Sequence, residues 1–297
     1  MSDERLRGTS GRSPVVAPGM TTIAVTGATG TVGGLVARHL AEARAEARLL
    51  VRDPSRAPDL GLPVWQCAYD EGPALGEALA GVDALFFVSG HESADRLADH
   101  RSVVEAAVEA GVGHVVYTSF VGAAADSTFT LGRDHGATED LLRDSGLAWT
   151  FLRDSFYAEV FPHFADEEGV IRGPAGEGRV AAVSQRDVAA VAAEVLLHPG
   201  DHADRAYDLT GPEALTLAEI ATVLTEVTGR PHRFHDETLE EARASRAHYG
   251  APDWQVDAWV STYTAIRDGE LADVSDDVPR LLGRPALSLA EALTAPR

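Results

Sequence analysis

Thr26-Gly27-Ala28-Thr29-Gly30-Thr31-Val32-Gly33 is the stretch that most constrains what this chain can fold into. An apolar run, Ile23-Ala24-Val25, precedes it, and apolar residues recur after it at Val32, Leu35, Val36 and Leu40. That order reads as strand, glycine turn, helix. Glycines at G-x-x-G-x-x-G in this context have the spacing used where a dinucleotide pyrophosphate rests on a helix N-terminus. In that reading Gly27 permits the tight turn, Gly30 removes a Cβ where backbone must approach phosphate, and Gly33 lets the helix pack closely on the sheet. The competing reading is an ordinary glycine-rich strand-to-helix turn.

The rhythm continues beyond the turn. Strands are expected at Ala47 to Val51, Val64 to Tyr69, Val82 to Val88, His114 to Ser119 and Leu147 to Leu152. Helical patterns lie between them, at Ala74 to Leu79, from Leu97 to the stop at Gly111, and from Asp134 to Ser145. Alternating strands and helices imply a Rossmann-type doubly wound parallel sheet covered on both faces. Beyond Arg153 the pattern changes to short strand-like pieces and helices with scattered aromatics. Thr216 to Glu219 and Ser288 to Glu291 are capping-box starts, and Ser184 to Asp187 also opens a helix. The expected organisation is a disordered tail over 1–19, a dinucleotide-binding unit over 20–153, and over 154–297 mainly a smaller α/β substrate lid, some elements of which return to the sheet.

Composition narrows the function classes. The 297 residues carry a formal net charge of −21, which argues against a nucleic-acid groove. No apolar run has membrane-spanning length, and no secretory signal is evident, so a cytoplasmic setting is expected. Cys67 is the only cysteine, which excludes an internal disulfide and a cysteine metal cluster. All 25 residues counted as lysine plus arginine are arginine. No mechanism that needs a lysine amine can operate.

Candidate chemistry sits where strands end. Arg52 follows the second strand, where an acid would hold the ribose 2′-hydroxyl of NAD; arginine there suits the 2′-phosphate of NADP. Arg56 could assist, while the adjacent Asp53 could instead be the NAD-type acid. Asp70 could contact adenine, and Val88-Ser89 and Thr118-Ser119 the ribose and nicotinamide side; each hydroxyl could equally make a local cap bond. His135 and Glu139 are i and i+4 on one helix face. His135 could donate a proton near neutral pH, or the two could form an exposed surface pair. They lack a third metal ligand, and His232 and His235 are expected on opposite faces of a strand, so no metal site is expected. Phe120, Asp154, Phe156 and Tyr157 could border a flat substrate, with Tyr157 a second candidate proton donor; aromatics there could also be plain core.

Taken together, T-G-A-T-G-T-V-G, V-R-D-P-S-R, V-V-Y-T-S-F and the stretch from Asp134 to Glu159 resemble the NmrA-like branch of the atypical short-chain dehydrogenase/reductases. Within it, the motif order is most similar to type-2 NAD(P)H:quinone oxidoreductases. The likeness continues through Ser184 to Ala189 and Tyr207 to Gly211, and covers roughly residue 22 to the end. The wider superfamily usually carries Tyr-x-x-x-Lys on the helix after the fifth strand; here His135 and Glu139 stand at those positions, which agrees with the quinone-reductase branch. The resemblance implies that Gly27, Thr29, Gly30, Thr31, Val32, Arg52, Ser89, Thr118 and Ser119 line the cofactor, and that Asp154 to Tyr157 border the substrate.

The expectation is an NADPH-dependent reductase that passes hydride to a small conjugated acceptor such as a quinone. A non-catalytic regulator that senses dinucleotide, or a reductase or isomerase of a specialised biosynthetic pathway, shares the same motifs. A second copy of the chain, as a homodimer, is a further candidate partner.

Overall fold

A computed structural model describes residues 21–295, so the expected tail over 1–19 lies outside the described residues. Its centre is a seven-stranded sheet built from β1 (Ile23–Thr26), β2 (Ala47–Val51), β3 (Val64–Gln66), β4 (Ala84–Phe87), β5 (His114–Phe120), β6 (Ala148–Asp154) and β9 (Arg205–Leu209). The strand order is β3-β2-β1-β4-β5-β6-β9, and every pairing is parallel. The chain winds outward from β1 in one direction and from β4 in the other. Ligands in such sheets bind at the C-terminal strand ends beside that reversal.

Strand periodicity sorts the core. Ile23 and Val25 point with Leu49, Val51 and Phe86 toward α1 (Thr31–Glu42) and α5 (Gln185–Leu197). Their neighbours Ala24, Leu50, Leu85 and Phe87 point to the opposite layer. That layer contains α2 (Gly72–Leu79), α3 (Arg96–Ala110) and Leu142 from α4 (Thr130–Asp144). Both faces are therefore dry, which is why the strands read as continuous apolar runs.

The expected third strand is shorter than its sequence suggests. Only Val64–Gln66 pairs, as an exposed edge; the Cys67 N–H still bonds the Val51 carbonyl, but Tyr69 turns inward to bond Val88 O and Thr26 Oγ1.

The remaining elements form a second layered unit over the C-terminal strand ends. β7 (Val170–Gly173) pairs with β11 (Arg233–Asp236), and β8 (Arg179–Val180) with β10 (Leu215–Thr216). Helices α6 (Leu217–Thr228), α7 (Leu239–Arg246), α8 (Asp253–Arg267) and α10 (Leu289–Thr294) complete it. The capping boxes expected at Thr216 and Ser288 both form, and Thr238 with Glu241 makes a third. The elements that return to the sheet are α5, β9 and α9 (Asp277–Leu282), whose Val278 is buried in the same core as α5. The lid has its own apolar core, in which Phe161, Ile171, Leu217 and Ile220 are sealed.

Candidate active site

The glycine turn is shaped by the residues beneath it. Thr26 Oγ1 donates to the Phe86 carbonyl at 3.1 Å and accepts from the Val88 N–H at 2.9 Å. These bonds tie the ends of β1 and β4 together at the reversal. Gly27 has φ +62°, and a Cβ on it would press against the Val88 side chain at 3.0–3.2 Å. A Cβ on Gly33 would overlap the Gly27 carbonyl and approach the Thr26 carbonyl, so helix and strand end can meet only at glycine. Gly30 caps α1 without a side-chain bond, and the first turn holds no acid. The N–H groups of that turn, beside exposed Thr31 and half-buried Thr29, are thus left to an anion. This arrangement fits a dinucleotide pyrophosphate.

Further along the crevice, Arg52 is exposed and enters no ion pair among the described residues; its carbonyl accepts from Gln66. Asp53 is otherwise engaged. Its Oδ1 accepts from Ser55 Oγ at 2.7 Å and from the Ser55 N–H at 3.0 Å, which keeps its carboxyl below the usual range. Asp70 lies exposed in the turn before α2. The Ser89 N–H donates to Thr118 Oγ1 at 2.8 Å, aligning the ends of β4 and β5.

His135 and Glu139 share a helix face, but the face points inward. The exposed pair considered from spacing is therefore corrected: His135 is 7% and Glu139 1% exposed, and they have different partners. Glu139 Oε1 accepts from Ser119 Oγ at 2.6 Å, and its carboxylate is held by Arg153 at 2.7–2.9 Å and Arg143 at 2.8 Å. A buried carboxylate between two guanidiniums is compensated, and here it pins α4 to the ends of β5 and β6.

His135 Nε2 lies 2.9 Å from Arg96 Nη2. A guanidinium can only donate, so Nε2 accepts and the ring proton is on Nδ1, which donates to Tyr117 Oη at 3.0 Å. Burial and the Arg96 charge hold the His135 pKa well below 6.5. Both ring nitrogens are occupied by the protein. The neighbouring His100 follows the same logic: its Nε2 accepts from the Gly90 N–H at 2.8 Å, its Nδ1–H donates to Thr138 at 2.7 Å, and burial lowers its pKa to about 3.

Above these groups opens a cavity of about 830 Å³. Ser89, Ser119, His135, Asp154 and Tyr157 contribute to its sheet side, and Trp259 and Tyr263 of α8 to the lid side. Phe120, Phe129 and Phe156 form a cluster in its wall, with ring centroids 4.8–5.4 Å apart. Glu92, in the loop after β4, accepts from Trp259 Nε1 and Gln255 Nε2 at 3.2 Å, linking the sheet unit to the lid. Burial pushes the Asp154 carboxyl up to about 8, although the Tyr157 hydroxyl donates to its Oδ2 at 2.7 Å. Burial and the neighbouring Asp154 hold the Tyr157 pKa well above its ordinary value.

Residues 27–199 match the family model for NAD(P)H-binding proteins. The chain belongs to the NAD(P)H-binding family. Within it, the chain is similar to the NAD(P)H azoreductase of Xenophilus azovorans, with 38% identity over 275 residues covering 91% of this chain and 96% of that one. The crystal structure of an NADPH-dependent quinone oxidoreductase of Escherichia coli complexed with NADPH aligns with TM-score 0.84 and 35% identity, covering 92% and 98%. The Citrobacter sp. triphenylmethane reductase complexed with NADP(H) aligns with TM-score 0.80 and 34% identity over the same shares. This member of the family is an NAD(P)H-dependent reductase with the NmrA-like, quinone-reductase type of Rossmann fold. Among the described residues, no helix is long and apolar enough to cross a membrane.

Sequence reasoning missed Arg96, Tyr117, Glu92 and the lid residues Phe129, Trp259 and Tyr263 as parts of the site. Arg96 begins a helix and reads as a surface cation; only its contact with His135 across 39 positions reveals its place. The aromatics of α8 were visible as a pattern, but nothing local says that they roof a cavity.

Proposed function

We propose that this reductase transfers hydride from the nicotinamide of NADPH to a flat, conjugated acceptor such as a quinone. The observation that carries the reading is the aromatic-walled cavity at the C-terminal ends of β5 and β6, next to Ser89 and Ser119. Its volume lies in the range of ordinary small-molecule sites. A conjugated acceptor delocalises the incoming charge, so stacking and orientation supply much of what catalysis needs. The aligned relatives are named for azo, quinone and triphenylmethane compounds, all of which are conjugated π-systems.

In this reading Gly27, Thr29, Gly30, Thr31, Val32 and Gly33 hold the pyrophosphate, and Asp70 borders the adenine. Val88, Ser89, Thr118 and Ser119 flank the nicotinamide ribose and ring. Because Ser119 gives its proton to Glu139, its oxygen is left to accept from the carboxamide. Arg52 takes the 2′-phosphate; Asp53, occupied by Ser55, offers little competition for a ribose hydroxyl. Phe120, Phe156 and Tyr157 border the acceptor. His135, with both nitrogens engaged, positions the floor of the site and does not deliver a proton. The aromatic-walled cavity beside Ser89 and Ser119 supports catalysis over a purely sensing role.

The test is steady-state oxidation of NADPH and NADH with menadione, a small azo compound and a triphenylmethane dye. The proposal expects turnover with at least one, faster with NADPH. Tight NADPH binding with no turnover in any mixture would contradict it.

A further inference from the structure

Asp154 is 2% exposed, lines the cavity, and is tethered through only one of its two oxygens. Oδ2 accepts from Tyr157; Oδ1 is buried and has no hydrogen-bond partner among the described residues. The next residue, Ser155, also lines the cavity, and its buried Oγ is likewise without a partner. Polar atoms so deeply buried are seldom left unpaired, and two adjacent ones on residues that line the cavity call for a polar partner there. We propose that Asp154 works as a neutral carboxylic acid whose Oδ1–H binds the acceptor's oxygen, or an equivalent heteroatom, and protonates it, with the Ser155 hydroxyl as a second donor.

The proposal rests on the reductase reading and names its proton source. As the acceptor gains the electron pair carried by the hydride, the Asp154 O–H bond breaks and a bond from that hydrogen to the acceptor heteroatom forms. NADPH, when bound, would supply the hydride: its nicotinamide C4–H bond would break as a bond from that hydrogen to the acceptor forms, leaving NADP+. Asp154 remains as carboxylate, stabilised by the Tyr157 hydroxyl, until solvent returns the proton.

The environment favours the neutral acid. Its ladder partners are Phe120 on β5 and Leu209 on β9, both apolar. Of the titratable groups on the elements packed against it, Tyr157 donates to it, and Glu159 accepts from Ser184 and the Gln185 N–H. His135 is engaged by Arg96 and Tyr117, Arg153 by Glu139, and Asp187 of α5 by Arg284. Asp208 of β9 lies one step along the ladder, opposite Arg153. Among the described residues, none of these places a cation in contact with Asp154, so burial dominates and the carboxyl titrates at about 8.

The experiment follows Asp154 with and without turnover. In the cofactor-free protein, an infrared carboxylic-acid C=O band should disappear on titration near pH 8 and be absent from Asp154→Asn. With NADPH and menadione, wild-type kcat should fall as pH rises above about 8. Asp154→Asn should lose roughly 100-fold at pH 7, the scale of one general acid, and become flat across that range. Tyr157→Phe, which removes the bond that favours the carboxylate, should move both midpoints upward; this keeps the test open if Asp154→Asn folds poorly. Wild-type rate and pH profile in Asp154→Asn, or unmoved midpoints in Tyr157→Phe, would overturn the donor role while leaving the reductase reading intact. No wild-type turnover with any acceptor would overturn both, whatever the infrared band does.

Discussion

The glycine turn and the floor of the cavity lie at the same edge of the sheet but are made in different ways. The turn presents backbone N–H groups, and its shape depends mainly on residues 26 to 33, with Thr26 tied to Phe86, Val88 and Tyr69 beneath it. The floor presents side chains that are buried, titratable and held by partners far away in the chain, as in Arg96 with His135 and Ser119 with Glu139 and Arg153. A site that works through backbone is specified locally and tolerates little substitution within its own few residues. A site that works through buried side chains is specified by the packing of several elements, and should fail through charge imbalance.

The largest effect that would sharpen this contrast is expected at Glu139. Glu139→Ala strips Arg153 and Ser119 of their partner, while Arg143, partly exposed, keeps Asp140; it should cost about 3 kcal/mol of stability, the low end for breaking a buried pair, measured by urea unfolding. A loss below about 1 kcal/mol would mean that the two arginines find water, and that the floor is less coupled than described.

Next is Gly33→Ala, whose new Cβ overlaps the Gly27 carbonyl. We expect about 1–3 kcal/mol of strain and a large loss of NADPH affinity by fluorescence titration. At Gly30 an added Cβ would lie 3.3 Å from the Gly27 carbonyl, so Gly30→Ala should be milder for folding. Equal damage at both positions would break the account of the turn.

Arg52→Asp should weaken NADPH by the worth of a charge-assisted bond, about 1.5–3 kcal/mol, and leave NADH nearly unchanged. Equal loss of both cofactors would refute the 2′-phosphate assignment.

The pH dependence of stability distinguishes two buried groups of the floor. The folded pKa of His100, about 3, lies below its unfolded value near 6.5. Its contribution is therefore complete above 6.5 and lost as pH falls toward 3, by up to about 1.4 kcal/mol per pH unit. Asp154 acts oppositely: its folded pKa of about 8 lies above the unfolded value, so its contribution is present below about 4 and lost as pH rises through 8. Urea midpoints across this range should have a shallower acid limb in His100→Asn and a shallower alkaline limb in Asp154→Asn.

The same division explains what the sequence made legible. β1, the turn and α1 could be located because each is written in local periodicity and glycine spacing. The i, i+4 spacing of His135 and Glu139 correctly placed them on one face, but spacing cannot say whether a face looks at solvent or at β5. Two polar residues suggested solvent; Arg96, Arg143 and Arg153, which make burial tolerable, come from three separate elements. Val64 to Tyr69 looked like one strand because its composition is uniform, whereas Tyr69 leaves the ladder for a bond to Val88. The resemblance implied that Asp154 borders the substrate, and the residue does line the cavity, but its unpartnered oxygen was not legible, since that depends on what fails to approach it.

The most direct test of the central claim is a single turnover. Protein loaded with one equivalent of NADPH is mixed anaerobically with menadione, and nicotinamide absorbance is followed. The account predicts stoichiometric loss of NADPH matched by hydroquinone, at a rate that falls above about pH 8. NADPH that stays bound and reduced with menadione, and equally with the azo compound and the triphenylmethane dye, would contradict it, and would leave a protein that holds the dinucleotide without passing its hydride to such acceptors.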